Sequence, residues 1–388
     1  MALLLAALGL ARPAAALTII PTFDSSITGA TNAAAIEAAI NGAIHVLQSN
    51  IVDNVTVNVT FVSDESVGLG QSSTFGDNYA YSNFLASLKS HATSTRDMVA
   101  MSLLPNSTND PVIGGSQVHL TTAQERVLGL DNTYTGVDST ISCKMSLVNF
   151  TRPPGDPTKY DLQQVEEHEL DEVLGISSGL PGTNMIWPAD LFRYTTNLVR
   201  TFTTNGDNAY FSTDGTNLIA RYNMNSGGDY GDWWSYFYPT NWSPTSGLTQ
   251  SNPQVQDAFS GPGNALDLGP SELAILDVVG WTLASSPTTP STALTIVRNG
   301  ANQFTIAWPI TLTGYVLQER TNLTAGAWVN SSSGFANPAI LTSTASQKFY
   351  RLYMPLILGQ SPAPTVAVAP VPHGPRTITT RVYQPSQP

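Results

Sequence analysis

Cysteine is almost absent from this chain of 388 residues, and the single Cys143 excludes both an intramolecular disulfide and a four-cysteine zinc site. Charged residues are also scarce, and 16 basic residues stand against 28 acidic ones, for a formal net charge of −12. So few lysines and arginines argue against nucleic acid as a partner. No stretch beyond the N-terminus reaches the roughly 18 apolar residues that a membrane helix needs, so we expect no membrane span.

The two ends of the chain have unusual compositions. Residues 1–16, MALLLAALGLARPAAA, combine an apolar run with a small-residue end, which is typical of a cleaved secretory signal peptide. We therefore expect a secreted, extracellular protein. At the other end, residues 356–388 are rich in proline, and we expect them to form a disordered tail.

Between these ends, the hydrophobic patterns predict an α+β domain over residues 17–283 and a small all-β domain after it. Residues 32–48 have apolar side chains at helical spacing, and residues 55–62 alternate like a half-buried strand. A run rich in Ser, Thr and Pro marks a linker at 284–291. Short alternating runs over 292–355 predict a β-sandwich, which would either attach the protein to a surface polymer or act as a spacer.

One segment, YDLQQVEEHELDEVLGISSGL, concentrates acidic residues around a histidine, because four of the nine glutamates of the chain lie in it. At 100° per residue, His168, Glu169 and Glu172 fall on one arc at the border of the apolar face. Glu167 and Asp171 point away from this arc. A helix with a merely solvated acidic face would place its charges opposite the apolar stripe, so this arrangement favours a functional cleft.

The spacing of these side chains predicts a metal site. His168 and Glu172 are four positions apart, so they lie one above the other on a helix and can bind one ion. Glu169 is offset and can act as general base on a water bound to that ion. This is the layout of H-E-x-x-H zinc peptidases with Glu172 at the second His position, and carboxylates also bind zinc. We expect zinc, although such a ligand set suits other divalent ions, and a neutral to mildly alkaline activity optimum.

The sequence from His168 to Gly175, HELDEVLG, resembles the H-E-[IL]-x-E-[VM]-[LM]-G helix of secreted bacterial metalloproteases of the zincin type. Five further motifs resemble the same family in the same order: DLFRY at 190–194, YFSTDG at 210–215, GDYGDW at 228–233, VQDAF at 255–259 and ELAILDVVGW at 272–281. The resemblance covers residues 17–283. It implies a zincin-like α+β fold and a zinc endopeptidase that acts on protein or peptide substrates.

These motifs leave the third metal ligand open. Metzincins place it ten residues after the first His, where this chain has Ser178, a poor ligand. Gluzincins use an acidic residue further downstream, and on that pattern Asp190 is the best candidate. Asp229 and Asp232 are the alternatives.

Other signals are weaker. Arg193 and Tyr194 are candidates for stabilising an oxyanion, or else for an ion pair and a core position. His91 and His119 are interpreted as structural. The Asp- and Asn-rich loops match no EF-hand spacing, so Ca²⁺ lacks support and ordinary turns explain them better. The string GISSG at 175–179 matches the serine hydrolase pattern but ends a helix, where glycines serve as caps.

Two functions compete on this sequence. The first is a secreted, zinc-dependent endopeptidase in which Glu169 activates the attacking water. The alternative is a catalytically inactive, zincin-like binding or adhesion module of a secreted protein. The shared arc of His168, Glu169 and Glu172 favours the enzyme, and the replacement of the second His favours the module.

Overall fold

The structure is a computed structural model that describes residues 16–205, 209–235, 253–284, 295–299, 303–307, 316–321, 328–333, 338–342, 348–353 and 377–385. The chain forms two compact units, Met1–Ala284 together with Val368–Pro388, and Ser285–Ala367. Most of the expected signal peptide and of the expected linker lies outside the described residues. None of the helices in the described ranges is long and apolar enough to cross a membrane.

Helices and strands alternate along the first unit, and strands make up the second. The helices are α1 Ser25–Thr28, α2 Ala33–Asn50, α3 Tyr81–His91, α4 Thr95–Ser102, α5 Thr122–Val127, α6 Leu162–Val173 and α7 Pro270–Val278. The strands are β1 Thr18–Phe23, β2 Thr56–Ser63, β3 Gly70–Ala80, β4 Gln117–Thr121, β5 Ser139–Cys143, β6 Val148–Asn149, β7 Tyr160–Asp161, β8 Arg193–Tyr194, β9 Tyr210–Phe211, β10 Ala220–Arg221, β11 Phe259–Ser260, β12 Thr295–Arg298, β13 Gln303–Ala307, β14 Val316–Arg320, β15 Val329–Asn330, β16 Ala339–Thr342, β17 Phe349–Tyr353 and β18 Thr377–Pro385.

The central sheet of the first unit is mixed, and its strand order is β1-β2-β5-β3-β18-β11, with β4 paired to the far part of β3. Strands β1, β2 and β5 are parallel, whereas β3 runs antiparallel to β5. Strand β2 forms where Val57, Val59 and Phe61 alternate with polar residues, and these three side chains are buried. The expected α+β class is confirmed.

Helix α6 lies in the core of this unit, where it packs against α2 and against β3, β5 and β18. Helix α2 buries its stripe of Ile36, Ile40 and Leu47, so the helix predicted over residues 32–48 is confirmed. The strand predicted over residues 55–62 corresponds to β2. The sheet and α2 thus hold α6 between them, and this position explains the burial of the site described below.

The expectation of a disordered tail is wrong for Thr377–Pro385. These residues form β18, which pairs antiparallel with β3 from Thr377 opposite Gly76 to Tyr383 opposite Gly70. Prolines dominate the composition before residue 377, but the run TITTRVY has none and is rich in β-branched residues. Its strand conformation depends on a partner, β3, that lies about 300 residues earlier in the chain.

The second unit contains two antiparallel sheets of three strands, ordered β12-β13-β16 and β15-β14-β17. Its small core joins residues of both sheets, namely Ile306, Ala339 and Leu341 from one and Leu317 from the other. The attachment of this unit to a surface polymer stays a prediction.

Candidate metal centre

The helix that carries the candidate ligands has a side-chain cap at its N-terminus and a glycine just beyond its C-terminus. Asp161 caps the N-terminus of α6, because its side chain accepts a hydrogen bond from the backbone N–H of Gln164 at 3.0 Å. Arg152 fixes this cap by donating to Asp161 Oδ2 at 2.7 Å. The helix ends at Val173, and Gly175 follows its C-terminus with a φ of +111°, which favours glycine, as the cap interpretation of the GISSG string requires.

Helix α6 is buried on every side rather than on one face. Glu167 and Asp171, which the helical arc placed away from the core, are as inaccessible to solvent as His168. Glu167 accepts a hydrogen bond from the backbone N–H of Leu268 at 2.9 Å. The face of the helix that carries Glu167 and Asp171 is therefore not solvated, because the segment before α7 covers it.

Three side chains that could each bind a metal ion lie close together in this buried region. One ligand atom each from His168, Glu172 and Asp232 lies within 4.8 Å of the other two. His168 Nε2 is 3.9 Å from Glu172 Oε1 and 3.7 Å from Asp232 Oδ1. A nitrogen and two carboxylate oxygens in this arrangement can bind a metal ion.

The imidazole of His168 is held in the form that a metal requires. Its Nδ1 lies 3.0 Å from the carbonyl oxygen of Val255, which can only accept, so Nδ1 carries the proton. The lone pair of Nε2 therefore faces Glu172 and Asp232. Burial lowers the pKa of His168 to about 4, so the ring is neutral at physiological pH.

Burial makes the carboxyl groups of the site harder to ionise than exposed carboxyl groups. Glu172 Oε2 accepts a hydrogen bond from Ser72 Oγ at 2.5 Å, yet burial raises the pKa of Glu172 to about 8. Burial and the charges of Asp229 and Glu172 raise the pKa of Asp232 well above its usual range. Asp232 Oδ2 has no hydrogen-bond partner among the described residues. Buried carboxylates are stable when a cation compensates them, so these residues fit a divalent ion.

Glu169 lies beside the three ligands and packs against β3. A Cβ atom at Gly70 would come within 2.3 Å of Glu169 Oε1, so the glycine leaves room for the carboxyl in this position. Burial and the nearby Glu172 raise the pKa of Glu169 well above its usual range. A carboxyl in this position can exchange a proton within the site.

The loop that brings Asp232 to α6 is fixed by backbone contacts. Its closest approach is at Gly231, where a Cβ atom would lie 2.8 Å from the Cα of Ser177. Asn223 donates its backbone N–H to the carbonyl of Asp232 at 2.8 Å. Arg193, which is fully buried, donates to the carbonyl of Tyr230 at 2.7 Å.

Arg193 and Tyr194, the candidate oxyanion donors, are both buried among other contacts. The guanidinium of Arg193 also lies 4.3 Å over the ring of Tyr222, so it supports the loop that carries Asp232. Tyr194 is buried, and Arg200 lies 5.1 Å over its ring. Tyr194 thus occupies the core position of the alternative interpretation, whereas Arg193 contacts a backbone carbonyl and an aromatic ring rather than a carboxylate.

Asp190, the preferred third ligand on the sequence pattern, occupies a different place. Its Oδ1 accepts from Ser178 Oγ at 2.6 Å, and its Oδ2 accepts from the backbone N–H groups of Gly179 and Trp187 at 2.8 and 2.9 Å. These bonds close the loop that follows α6 and use both carboxyl oxygens. The choice of Asp190 is thus corrected in favour of Asp232, which was one of the two alternatives.

Gln256 belongs to the site but received no role from the sequence. Its Nε2 donates to Asp232 Oδ1 at 2.9 Å and lies 3.4 Å from His168 Nε2. Its backbone N–H donates to Glu272 at 3.2 Å, which ties the segment to α7. The only sequence signal was the VQDAF motif, since an isolated glutamine has no spacing that points to a metal site.

His91, His119 and the loop at Asp214 have structural partners. His91 Nε2 pairs with Asp53 at 3.1 Å, and His119 Nδ1 lies 2.7 Å from Asn78 Oδ1, as the structural interpretation predicts. The loop at Asp214 is an ordinary turn, because this carboxyl accepts two backbone N–H groups. No comparison of this chain with protein-family models, with curated proteins or with solved structures finds a match.

Proposed function

We propose that this chain is a secreted, zinc-dependent endopeptidase whose metal ligands are His168, Glu172 and Asp232. The observation that carries the proposal is the buried cluster in which the Nε2 lone pair of His168 faces two carboxyl groups. The resemblance of HELDEVLG to the zincin helix supports zinc rather than another divalent ion. Secretion rests on the composition of residues 1–16, as set out above.

The residues around the ligands would hold each of them in place. Val255 orients His168, Ser72 orients Glu172 and Gln256 orients Asp232. Such outer contacts set the basicity and direction of metal ligands. When bound, zinc supplies a Lewis acid that polarises the peptide carbonyl and activates water.

Glu169 would take the proton of the attacking water and pass it to the leaving amine. Burial and the nearby Glu172 raise its pKa, so this carboxyl holds a proton more readily than an exposed glutamate does before it returns the proton. The high pKa of Glu172, about 8, means that ion binding improves as the pH rises. Both effects agree with a neutral to mildly alkaline optimum.

The direct test is hydrolysis of denatured casein by the full chain. We expect activity that EDTA removes and added zinc restores, and we expect Glu169→Gln to abolish it while metal content is retained. Glu166→Gln is the matched control, because Glu166 is an equally buried acid of the same helix outside the ligand group. Zinc-independent hydrolysis, or full activity in Glu169→Gln, would exclude the proposal.

One observation favours the second candidate function, a non-catalytic binding module. His168, Glu169 and Glu172 are almost inaccessible to solvent, and β18 packs directly on α6. A module of this kind would not hydrolyse casein, with or without added zinc, even after β18 has been displaced.

A further inference from the structure

Strand β18 lies between β3 and β11 in the central sheet, in a position that an extended peptide could occupy. It pairs antiparallel with β3 over seven residues, from Thr377 to Tyr383. On its other side it pairs in parallel with β11 through Phe259 and Ser260. Main-chain pairing of this kind is how sheets bind peptides by strand addition, and alternate side chains then supply the specificity.

The first of these alternate side chains is Tyr383, which lies on the metal ligand. Its ring stacks on the imidazole of His168, with ring centroids 3.7 Å apart and an interplanar angle of 9°. Tyr383 is itself fully buried. While β18 is in place, this aromatic ring therefore covers one face of the ligand that the proposed reaction needs.

The second is Arg381, which points to the same face of the sheet two residues earlier. Its Nη1 donates to Asp229 Oδ2 at 2.9 Å, and its Nη2 donates to the carbonyl of Ser178. The guanidinium also lies 4.8 Å over the ring of Trp187. An acid, a carbonyl and an aromatic face together form a pocket that suits a basic side chain.

We infer that the groove between β3 and β11 is a binding cleft for extended peptides that carry a basic residue two positions before an aromatic one. The C-terminal strand β18 is its intramolecular occupant. This inference rests on the proposed function, since it names the peptide class that the site would accept. Because the occupant is part of the same chain, its effective concentration is high, and an external peptide must displace it.

The experiment measures peptide binding rather than hydrolysis. The probe is a fluorescein-labelled TITTRVYQP, the sequence of β18, and anisotropy is recorded with the full chain in EDTA so that neither metal nor cleavage contributes. The variant Arg381→Glu places a negative charge against Asp229 and should release β18. Thr377→Glu adds a glutamate to the same strand at an exposed position and is the matched control.

We expect Arg381→Glu to bind the probe about tenfold or more tightly than the unaltered chain and Thr377→Glu do, because the cleft is then vacant. A probe with alanine in place of its arginine should bind this variant about tenfold more weakly, and adding Asp229→Ala should have the same effect. Tyr383→Ala, which adds no charge, should also increase probe binding.

Probe binding that does not depend on Asp229 or on the probe arginine would overturn the inference. So would a folded Arg381→Glu chain with no gain in binding. If Arg381→Glu and Tyr383→Ala both fail to fold, β18 is a permanent part of the sheet and the inference is also wrong. Specific binding without any casein hydrolysis would instead leave the cleft established and reject only the peptidase.

Discussion

At the scale of single residues, the site depends on the environment of His168 as much as on its identity. The carbonyl of Val255 sets its tautomer, and burial keeps it neutral. Glu172 follows from helical spacing, so both ligands of α6 could be predicted from the sequence. Asp232 could not be distinguished from Asp190 or Asp229, because its position depends on the close approach of Gly231 to Ser177.

The two candidates for the third ligand can be separated by matched variants. Asp232→Asn should weaken zinc binding by about tenfold or more, since it replaces an anionic ligand. Asp190→Asn should leave zinc binding unchanged but lower the free energy of unfolding by about 1–3 kcal/mol, because Asp190 accepts three hydrogen bonds. Zinc titration and urea unfolding measure the two effects. Zinc loss in Asp190→Asn alone would restore the sequence-based choice.

The buried carboxyl group of Glu166 should make the stability of the protein depend on pH. Burial raises its pKa to about 8 from an ordinary value of 4.5, so the folded state keeps a proton that the unfolded state releases. Its contribution is complete below about pH 4.5 and is lost as the pH rises towards 8. A pKa change of one corresponds to about 1.4 kcal/mol, so the loss by pH 9 should reach a few kcal/mol.

The variant Glu166→Gln cannot ionise and should reduce this loss. Between pH 6.5 and pH 9, the free energy of unfolding should fall less in the metal-free variant than in the metal-free unaltered chain. Urea unfolding in EDTA measures this difference. His168 does not obscure the comparison, because its lowered pKa affects stability only below about pH 6.5. An identical pH dependence in the two proteins would show that Glu166 does not carry the effect.

At the scale of elements, β3 shows why the site could be predicted only in part. The strand was not predicted, because its buried face consists of Gly70, Ser72, Thr74 and Gly76 rather than of large apolar residues. Those small side chains are what leave room for Glu169 and let Ser72 reach Glu172. The hydrophobic alternation that identifies most strands is therefore missing where the site needs space.

Gly70→Ala should displace Glu169, the proposed general base. The new Cβ would lie 2.3 Å from Glu169 Oε1 and 3.0 Å from Val165, so the carboxyl must move. We expect a loss of casein hydrolysis and a destabilisation of about 1–3 kcal/mol by urea unfolding. Gly155→Ala is the control, since a Cβ there meets no atom of the described residues within 4 Å. Unchanged activity in Gly70→Ala would argue against the role of Glu169.

Strand β18 was missed for a different reason. The composition of a segment indicates whether that segment can form a hydrophobic core by itself. The proline-rich tail cannot, so its composition predicts disorder. Its last strand is stabilised by pairing with β3 and β11, and by Arg381 and Tyr383 at the site. Contacts over such a separation in sequence leave no periodic signal in the segment itself.

At the scale of the whole molecule, the three candidate metal ligands all belong to the first unit, which also buries them. Helix α2, strand β2 and helix α6 were all predicted from the spacing of their side chains, since this signal is local. The order of strands in the sheet was not, because it depends on pairing between distant segments. The proposed function thus depends on whether α6 and the Asp232 loop together bind an ion.

Metal content tests that claim most directly. The full chain, purified without chelator, reconstituted with zinc and dialysed, would be measured by elemental mass spectrometry beside His168→Ala and Glu166→Gln. The account predicts about one zinc per chain in the unaltered protein and in Glu166→Gln, and none in His168→Ala. No bound zinc in the unaltered chain after reconstitution, or the same content in His168→Ala, would contradict it.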